Sequence, residues 1–180
     1  MSAPSGHREQ VRRVALVSLA AAIGLVVLKL AAGAASHSLS LLSEAAHSGL
    51  DAGAAALTYF AVTIAARPPD TEHPYGHGKA ENISALVQSV ALIVLAFAIV
   101  REAVQRLAGE GPRANATWYA FAVTLISIAV DAGRARTLRR IGRRHRSPAL
   151  EADAAAFSAD VLTSLGVLLG LALVKVGFAA

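Results

Sequence analysis

The sequence contains no cysteine and few charged residues, which make up 16% of its 180 positions. Without cysteine the chain can form no disulfide and offers no thiolate, so any metal must be held by histidine and carboxylate side chains. So few charges, with 55% hydrophobic residues and a mean hydropathy of +0.53, are unusual for a soluble domain. The chain also lacks an HExxH pair and any Ser/Lys or Cys/His arrangement, which leaves an intramembrane hydrolase with little support. We therefore predict a membrane protein that is not an enzyme.

Five segments are apolar and long enough to cross a bilayer, for which about 20 residues suffice. They cover residues 12–34, 40–66, 81–107, 115–136 and 150–177. The sequence thus predicts an all-α membrane protein with a cytosolic N-terminal tail (1–11), a transmembrane domain (12–180) and no cytosolic C-terminal domain. The basic start and the apolar run from Val14 also resemble a signal peptide. That run is too long and is interrupted by Lys29, so we prefer a first transmembrane helix.

Lysine and arginine are unevenly distributed, with twelve on one side of the predicted membrane domain and four on the other. Positive residues accumulate on the cytoplasmic side, so we expect a cytoplasmic N-terminus in a plasma-membrane protein. Seven of the twelve lie in RARTLRRIGRRHRSP (134–148), which we predict to be a linker with a solvated His145. The pI near 10.2 could indicate a nucleic-acid partner. Because this segment lies between two apolar spans, its arginines are better explained by topology and by contact with anionic membrane lipids.

Ionisable residues inside the predicted spans are the strongest functional signal, since an aspartate at a helix centre costs roughly 2.5–3.5 kcal/mol on insertion. In span two, His47 and Asp51 are four residues apart and share one helical stripe with Glu44. A histidine and a carboxylate so placed could hold one divalent metal, whereas the alternative is a polar contact that joins two helices. Span five carries Asp153 and Asp160 on one face, from which they could reach the same ion.

Other polar residues have simpler explanations. Asp131 lies near the end of span four, where Arg134 can pair with it in a structural role, and Lys29 can satisfy one carboxylate of the spans. The loop after span two places three possible metal ligands within one short turn, and a solvated polar loop is the alternative. These ligands are Asp70, His73 and His77.

Three motifs, in their order and spacing, resemble those of the cation diffusion facilitators, a family that exports zinc and other divalent metals against protons. The motifs are SLSLLSEAAHSGLD, RPPDTEHPYGHGKAEN and EADAAAFSADVLTS. The similarity covers nearly all of the chain. It implies a bundle of six transmembrane helices, a cytosolic metal-binding domain and a homodimer. The present chain would supply helices one to five, so we expect a fragment or a natural short form.

The resemblance also implies a transport site. His47 and Asp51 match the ligand pair of the family's second helix, and Asp160 matches the aspartate of the HxxxD pair in its fifth helix. The histidine of that second pair falls at Ala156, so three of the four expected ligands are present.

The resemblance further implies a second metal site in the loop of some bacterial members. Asp70, His73 and His77 match it. Lys79 and Glu81 match the GKAE segment, to which we assign packing or gating.

The missing histidine leaves three possibilities for the transport site. A water could complete a tetrahedron around the metal. Another oxygen ligand (Glu44, Asp153 or Ser158) could shift the preference towards metals that accept more oxygen. Otherwise the site is impaired. We predict a metal/proton antiporter of Zn²⁺, with Fe²⁺, Mn²⁺, Co²⁺ or Cd²⁺ as alternatives and no cofactor; the rival is a non-transporting subunit that pairs with an intact transporter.

Overall fold

The computed structural model describes residues 5–35, 39–107 and 118–175, and these ranges form five α-helices without a strand. The helices are α1 (Ser5–Ala35), α2 (Leu39–Ala65), α3 (Lys79–Leu107), α4 (Trp118–His145) and α5 (Pro148–Lys175). The all-α class is therefore confirmed. The start of the span predicted at 115–136 and the end of the span predicted at 150–177 lie outside the described residues.

Within the described ranges, three helices are long and apolar enough to cross a membrane. These spans are Arg8–Ala35, Glu44–Ala65 and Lys79–Arg101. Many of their large apolar side chains point outward; Leu50 and Phe97 are both 75% exposed. An outer surface this apolar would be an aggregation liability in water, whereas lipid is a suitable solvent for it. The chain is therefore a multi-pass membrane protein, as its composition predicts.

The helices pack as a bundle in which α1 contacts α2 and α4, α5 packs along α4, and α3 lies against α2 and α5. A compact core forms near one end, where Val11, Val62, Leu138 and Phe157 meet. Between α2 and α3, Gln88 donates hydrogen bonds to Thr58 (3.1 Å) and to Ser84 of its own helix (2.9 Å). Such polar contacts and close packing hold membrane helices together where the hydrophobic effect between helices is absent.

The arginine-rich segment is helical, and the prediction of a linker over 134–148 is wrong. Helix α4 continues to His145 because arginine is a good helix former and because positive charge is favourable near a helix C-terminus. The helix ends at His145. The next residue, Arg146, has a left-handed φ of 52°, and the Ser147 amide donates to the Gly142 carbonyl at 2.9 Å. This hydrogen bond is typical of a Schellman motif.

A two-residue turn therefore joins α4 directly to α5. Ser147 caps α5, because its hydroxyl accepts a hydrogen bond from the Leu150 amide at 3.5 Å while Pro148 occupies the first helical position. The two helices approach closely at Gly142, where an added Cβ would lie 2.9 Å from the Glu151 side chain. The turn and the glycine together fix a tight antiparallel hairpin.

Candidate metal site

His47 and Asp51 project from successive turns of α2 towards Asp160 of α5. One ligand atom from each of the three lies within 4.8 Å of the other two, and His47 Nε2 is 3.7 Å from Asp160 Oδ1. Ligands about 2.1 Å from a tetrahedral zinc are roughly 3.4 Å apart. The side chains therefore need to move by about 1 Å or less to share one ion.

The three residues line a polar cavity of about 140 Å³ inside an otherwise apolar bundle. Its other walls come from α1, α2, α4 and α5 and supply charges and hydroxyl groups: Lys29, Glu44, Thr124, Ser127, Asp131, Thr163 and Ser164. The Asp160 side chain is 13% exposed and that of His47 is 43% exposed, so the site opens on the side of the imidazole. The volume suffices for an ion with several waters.

Glu44 belongs to the same stripe of α2 but turns towards α1. Its Oε2 lies 3.6 Å from Lys29 Nζ, and the buried lysine also donates a hydrogen bond to Ser48 at 2.9 Å. Lys29 thus satisfies one carboxylate, as the sequence predicts. Because it pairs with Lys29, the Glu44 carboxylate is not part of the group formed by His47, Asp51 and Asp160.

Two residues suggested as replacement oxygen ligands do not join the group. Asp153 is fully buried, and neither of its carboxylate oxygens has a hydrogen-bond partner among the described residues. It shares a face with Asp160, but seven residues separate the two by about 10.5 Å along the helix. The Ser158 hydroxyl donates to the Ala154 carbonyl at 2.7 Å and accepts from Arg139 at 2.9 Å, so it points towards α4.

Ala156, where the resemblance implies a histidine, lies one turn before Asp160 and is partly buried. Its methyl group offers no ligand. No other histidine, aspartate or glutamate of the described ranges joins the three-residue group. A metal held there would have an open fourth position for water.

Asp131 and Arg134 form the structural pair that the sequence predicts, with Oδ1 and Nη1 3.1 Å apart. Arg134 also donates from Nε to Ser18 of α1 at 3.2 Å, and its guanidinium lies 3.5 Å from the centre of the Phe157 ring. These contacts engage Nε, Nη1 and the face of a guanidinium that is only 7% exposed, while its Nη2 has no hydrogen-bond partner among the described residues. They also bind α4 to both α1 and α5.

A second group of possible ligands lies in the loop between α2 and α3. Asp70 Oδ1 is 3.2 Å from His73 Nδ1, and Oδ2 is 3.3 Å from His77 Nε2. The same carboxylate accepts the backbone N–H groups of His73 (2.7 Å) and Glu72 (3.1 Å). The His73 amide, followed by the two imidazoles, lowers the pKa of Asp70. Three potential ligand atoms thus lie within 4.8 Å of one another at the surface.

The remaining singled-out residues make contacts at the loop end of the bundle. Glu81 accepts a hydrogen bond from Ser147, which ties the start of α3 to the α4–α5 turn and supports a packing role. Lys79 is exposed at the first position of α3. His145 has a partner that the sequence did not predict, because its Nε2 lies 3.0 Å from Gln10 Oε1 on α1. No local pattern signals that long-range contact.

Comparison with known proteins agrees with the motifs. Residues 15–179 match the family model of the cation efflux transmembrane domain. An uncharacterised transporter of Synechocystis is 38% identical over 166 residues, which cover 92% of this chain and 53% of the relative. The cation-efflux pump FieF of Shewanella oneidensis is 31% identical, covering 99% of this chain and 60% of the pump. The manganese efflux system protein MneP of Bacillus subtilis is 29% identical, covering 96% and 58%.

This chain spans between about half and three fifths of the length of these relatives. The relatives are named as transporters or efflux systems, and none of the three as an enzyme. The family match covers nearly the whole sequence. The chain belongs to the cation efflux family, the cation diffusion facilitators that its motifs resemble.

Proposed function

We propose that this chain forms the membrane pathway of a divalent-cation efflux transporter, with the metal bound by His47, Asp51 and Asp160. The observation that carries the proposal is the convergence of three ligand atoms to within 4.8 Å in a polar cavity between α2 and α5. Two carboxylates neutralise a divalent cation, and the imidazole adds a ligand common in transition-metal sites. The relatives named for cation and manganese efflux support this class of substrate.

Zn²⁺ is the first choice of metal because one imidazole, two carboxylates and a water make a tetrahedral set that zinc accepts readily. The absence of thiolates and the oxygen-rich cavity also suit Fe²⁺, Mn²⁺ and Co²⁺, and Cd²⁺ remains an alternative. Manganese is of particular interest, since MneP is named for its efflux. Competition between these ions at one site is the measurement that ranks them.

Exchange for protons would follow from the chemistry of His47. Imidazole binds a metal only in its neutral form, so a proton and a metal compete for the same nitrogen. Histidine gains and loses its proton near physiological pH, which makes that competition reversible on the two sides of a membrane. Rocking of the helices around a fixed site would then couple metal export to proton entry. We place the N-terminus in the cytoplasm of a plasma-membrane homodimer.

The second candidate is an impaired or non-transporting subunit that pairs with an intact transporter. The observation that favours it is Ala156, which leaves the group with three ligands. Retention of two carboxylates in lipid argues against it, because such groups are expensive to keep without a role. Constitutive co-purification with a second, four-ligand relative would support this candidate.

Calorimetric titration of Zn²⁺ into the purified chain in detergent, at about pH 7, tests the site. Asp51→Ala removes a ligand of the membrane group, and His73→Ala is its matched control in the loop group. We expect Asp51→Ala to abolish one binding event that His73→Ala preserves. Binding lost only in His73→Ala would contradict the membrane site and favour the impaired subunit.

Transport itself is measured in proteoliposomes that carry a metal indicator and a pH indicator. Metal entry with opposite proton movement, lost in Asp51→Ala, is the expected result. Metal flux without proton movement would contradict antiport while leaving the metal site intact.

A further inference from the structure

Four arginines of α4 form a stripe opposite the side of the helix that packs into the bundle. They are Arg136, Arg139, Arg140 and Arg143. Their spacing of three, four and seven residues places them on one helical face, and all four are exposed. Arg134 and Leu138 on the opposite face are buried. None of the ion pairs found within the described ranges involves these four arginines. The stripe therefore carries uncompensated positive charge.

The stripe borders a groove of about 540 Å³ between α4 and α5. Its apolar wall comprises Ala132, Ala135, Val161 and Leu162. Arg139 reaches across the groove and donates a hydrogen bond to Ser158 of α5 at 2.9 Å, which fixes one guanidinium in place. The groove thus combines phosphate-binding groups with a hydrocarbon surface. A free inorganic anion would use only the first of these, whereas a phospholipid would use both.

The depth of the stripe agrees with a lipid ligand. Arg134, just before the stripe, contacts Ser18 of α1, and His145, just after it, contacts Gln10. The arginines therefore lie level with the first turns of the membrane span that begins at Arg8. From residue 136 to residue 143 the helix rises about 10.5 Å. That length crosses a headgroup layer of about 5–8 Å and reaches the top of the hydrocarbon.

We propose that the groove between α4 and α5 binds an anionic phospholipid of the surrounding bilayer. The phosphate of the lipid is bound by Arg136, Arg140 and Arg143, since one guanidinium group can donate two parallel hydrogen bonds to phosphate oxygens. Its acyl chains lie along Val161 and Leu162. Basic pockets between membrane helices are suited to such headgroups, and this one lies outside the cavity of the candidate metal site.

The test is titration of short-chain phosphatidylglycerol into the purified chain in neutral detergent, followed by calorimetry. Phosphatidylcholine of the same chain length and inorganic phosphate are titrated in parallel. The stripe variant is Arg136→Gln/Arg140→Gln/Arg143→Gln, which leaves Arg139 bound to Ser158. The control variant removes three exposed arginines that lie outside the groove, and it loses the same charge at the same end of the helix bundle. It is Arg67→Gln/Arg144→Gln/Arg146→Gln. Circular dichroism without lipid checks that both variants fold.

We expect phosphatidylglycerol to bind at least about tenfold more tightly than phosphatidylcholine. The stripe variant should bind it on the order of a hundredfold more weakly, and the control within about threefold of the parent. Equal binding of the two lipids, or equal losses in the two variants, would overturn the proposal. So would full competition by millimolar phosphate, which would identify a free anion as the ligand.

A second variant keeps the test decisive if the triple substitution unfolds the protein. Leu162→Glu places a carboxylate on the apolar wall beside the arginines, at a position that is 70% exposed, so the change displaces no packed side chain. It should weaken phosphatidylglycerol binding at least about tenfold, because it repels the phosphate and disrupts the acyl surface. Unchanged binding in this variant would place the lipid elsewhere.

Discussion

Replacement of Asp51 by asparagine should stabilise the metal-free protein while it weakens metal binding. The nearest oxygens of Asp51 and Asp160 lie within 4.8 Å of each other. Two ionised carboxylates at that distance repel by about 3.5 kcal/mol at an effective dielectric constant of 20. Water in the open cavity reduces the value to about 1–3 kcal/mol. The asparagine amide has nearly the same shape as the carboxylate but removes the repulsion, together with one anionic ligand.

Thermal unfolding in detergent at about pH 8, with a chelator or with Zn²⁺, measures both effects. Without metal, the variant should unfold at a temperature roughly 2–10 °C above that of the parent. Zinc at a hundred times its dissociation constant stabilises the parent by about 2.7 kcal/mol. The variant should lose this gain, since removal of a direct ligand weakens metal binding by more than about a hundredfold.

Asp131→Asn is the matched control, because Asp131 lines the same cavity but pairs with Arg134 at 3.1 Å. Loss of this partner leaves a buried cation unpaired and should destabilise the metal-free protein by about 3–5 kcal/mol. Zinc affinity should change by only a few-fold. Destabilisation of the metal-free protein by Asp51→Asn as large as that by Asp131→Asn would refute the repulsion between Asp51 and Asp160. An unchanged zinc affinity in Asp51→Asn would refute its role as a ligand.

Three further perturbations address other parts of the structure. Ala156→His adds an imidazole one turn before Asp160 and should tighten zinc binding about tenfold or more by calorimetry; no change would mean that this face of α5 points away from the metal. The pKa of Asp70 is lowered below its ordinary value of 3.8, so its ionised form stabilises the loop above that value and this stabilisation is lost as the pH falls through the lowered pKa. The protection of the loop amides from hydrogen exchange, taken relative to the intrinsic rate at each pH, should fall over that acidic range, and in Asp70→Asn it should be low already at neutral pH. Equal protection in the two proteins at neutral pH would refute the role of the carboxylate. Ser147→Ala removes both the hydrogen bond to the half-buried carboxylate of Glu81 and the hydroxyl that caps α5. It should lower the free energy of unfolding by about 1–3 kcal/mol in denaturant, whereas an unchanged value would show that the two contacts together are energetically neutral.

Local composition was enough to locate the helices. The span predicted at 40–66 and helix α2 at Leu39–Ala65 differ by one residue at each end, because apolar length is a property of the segment alone. The prediction of a linker at 134–148 was wrong because composition was used there for topology alone and not for helix propensity. A run of arginines indicates membrane topology, but the same residues also favour a helix, and only the turn at Arg146 and Ser147 interrupts it.

The sequence predicted which candidate ligands share a face of one helix. It did not predict which of them lie at the same level along the helix axis as the ligands of the neighbouring helix. The four-residue spacing of His47 and Asp51 already placed them on one face of a helix. The same periodicity grouped Asp153 with Asp160, yet only Asp160 reaches α2, because a shared face does not imply a shared level along the helix. Nor could the sequence identify which carboxylate Lys29 would satisfy, since that depends on how α1 packs against α2.

The two-residue turn between α4 and α5 has a mechanical consequence for the proposed metal site. Ser147 anchors the start of α5 to both α4 and α3, and Asp160 lies 13 residues further along the helix, at a distance of about 20 Å. A tilt of α5 by only about 5° about this anchor would displace Asp160 by about 1.7 Å. A bond of about 2.1 Å between zinc and a carboxylate does not survive such a displacement. With a metal bound at the proposed site, the hairpin would therefore act as a lever arm, in which a small rotation at the membrane surface releases one ligand in the interior.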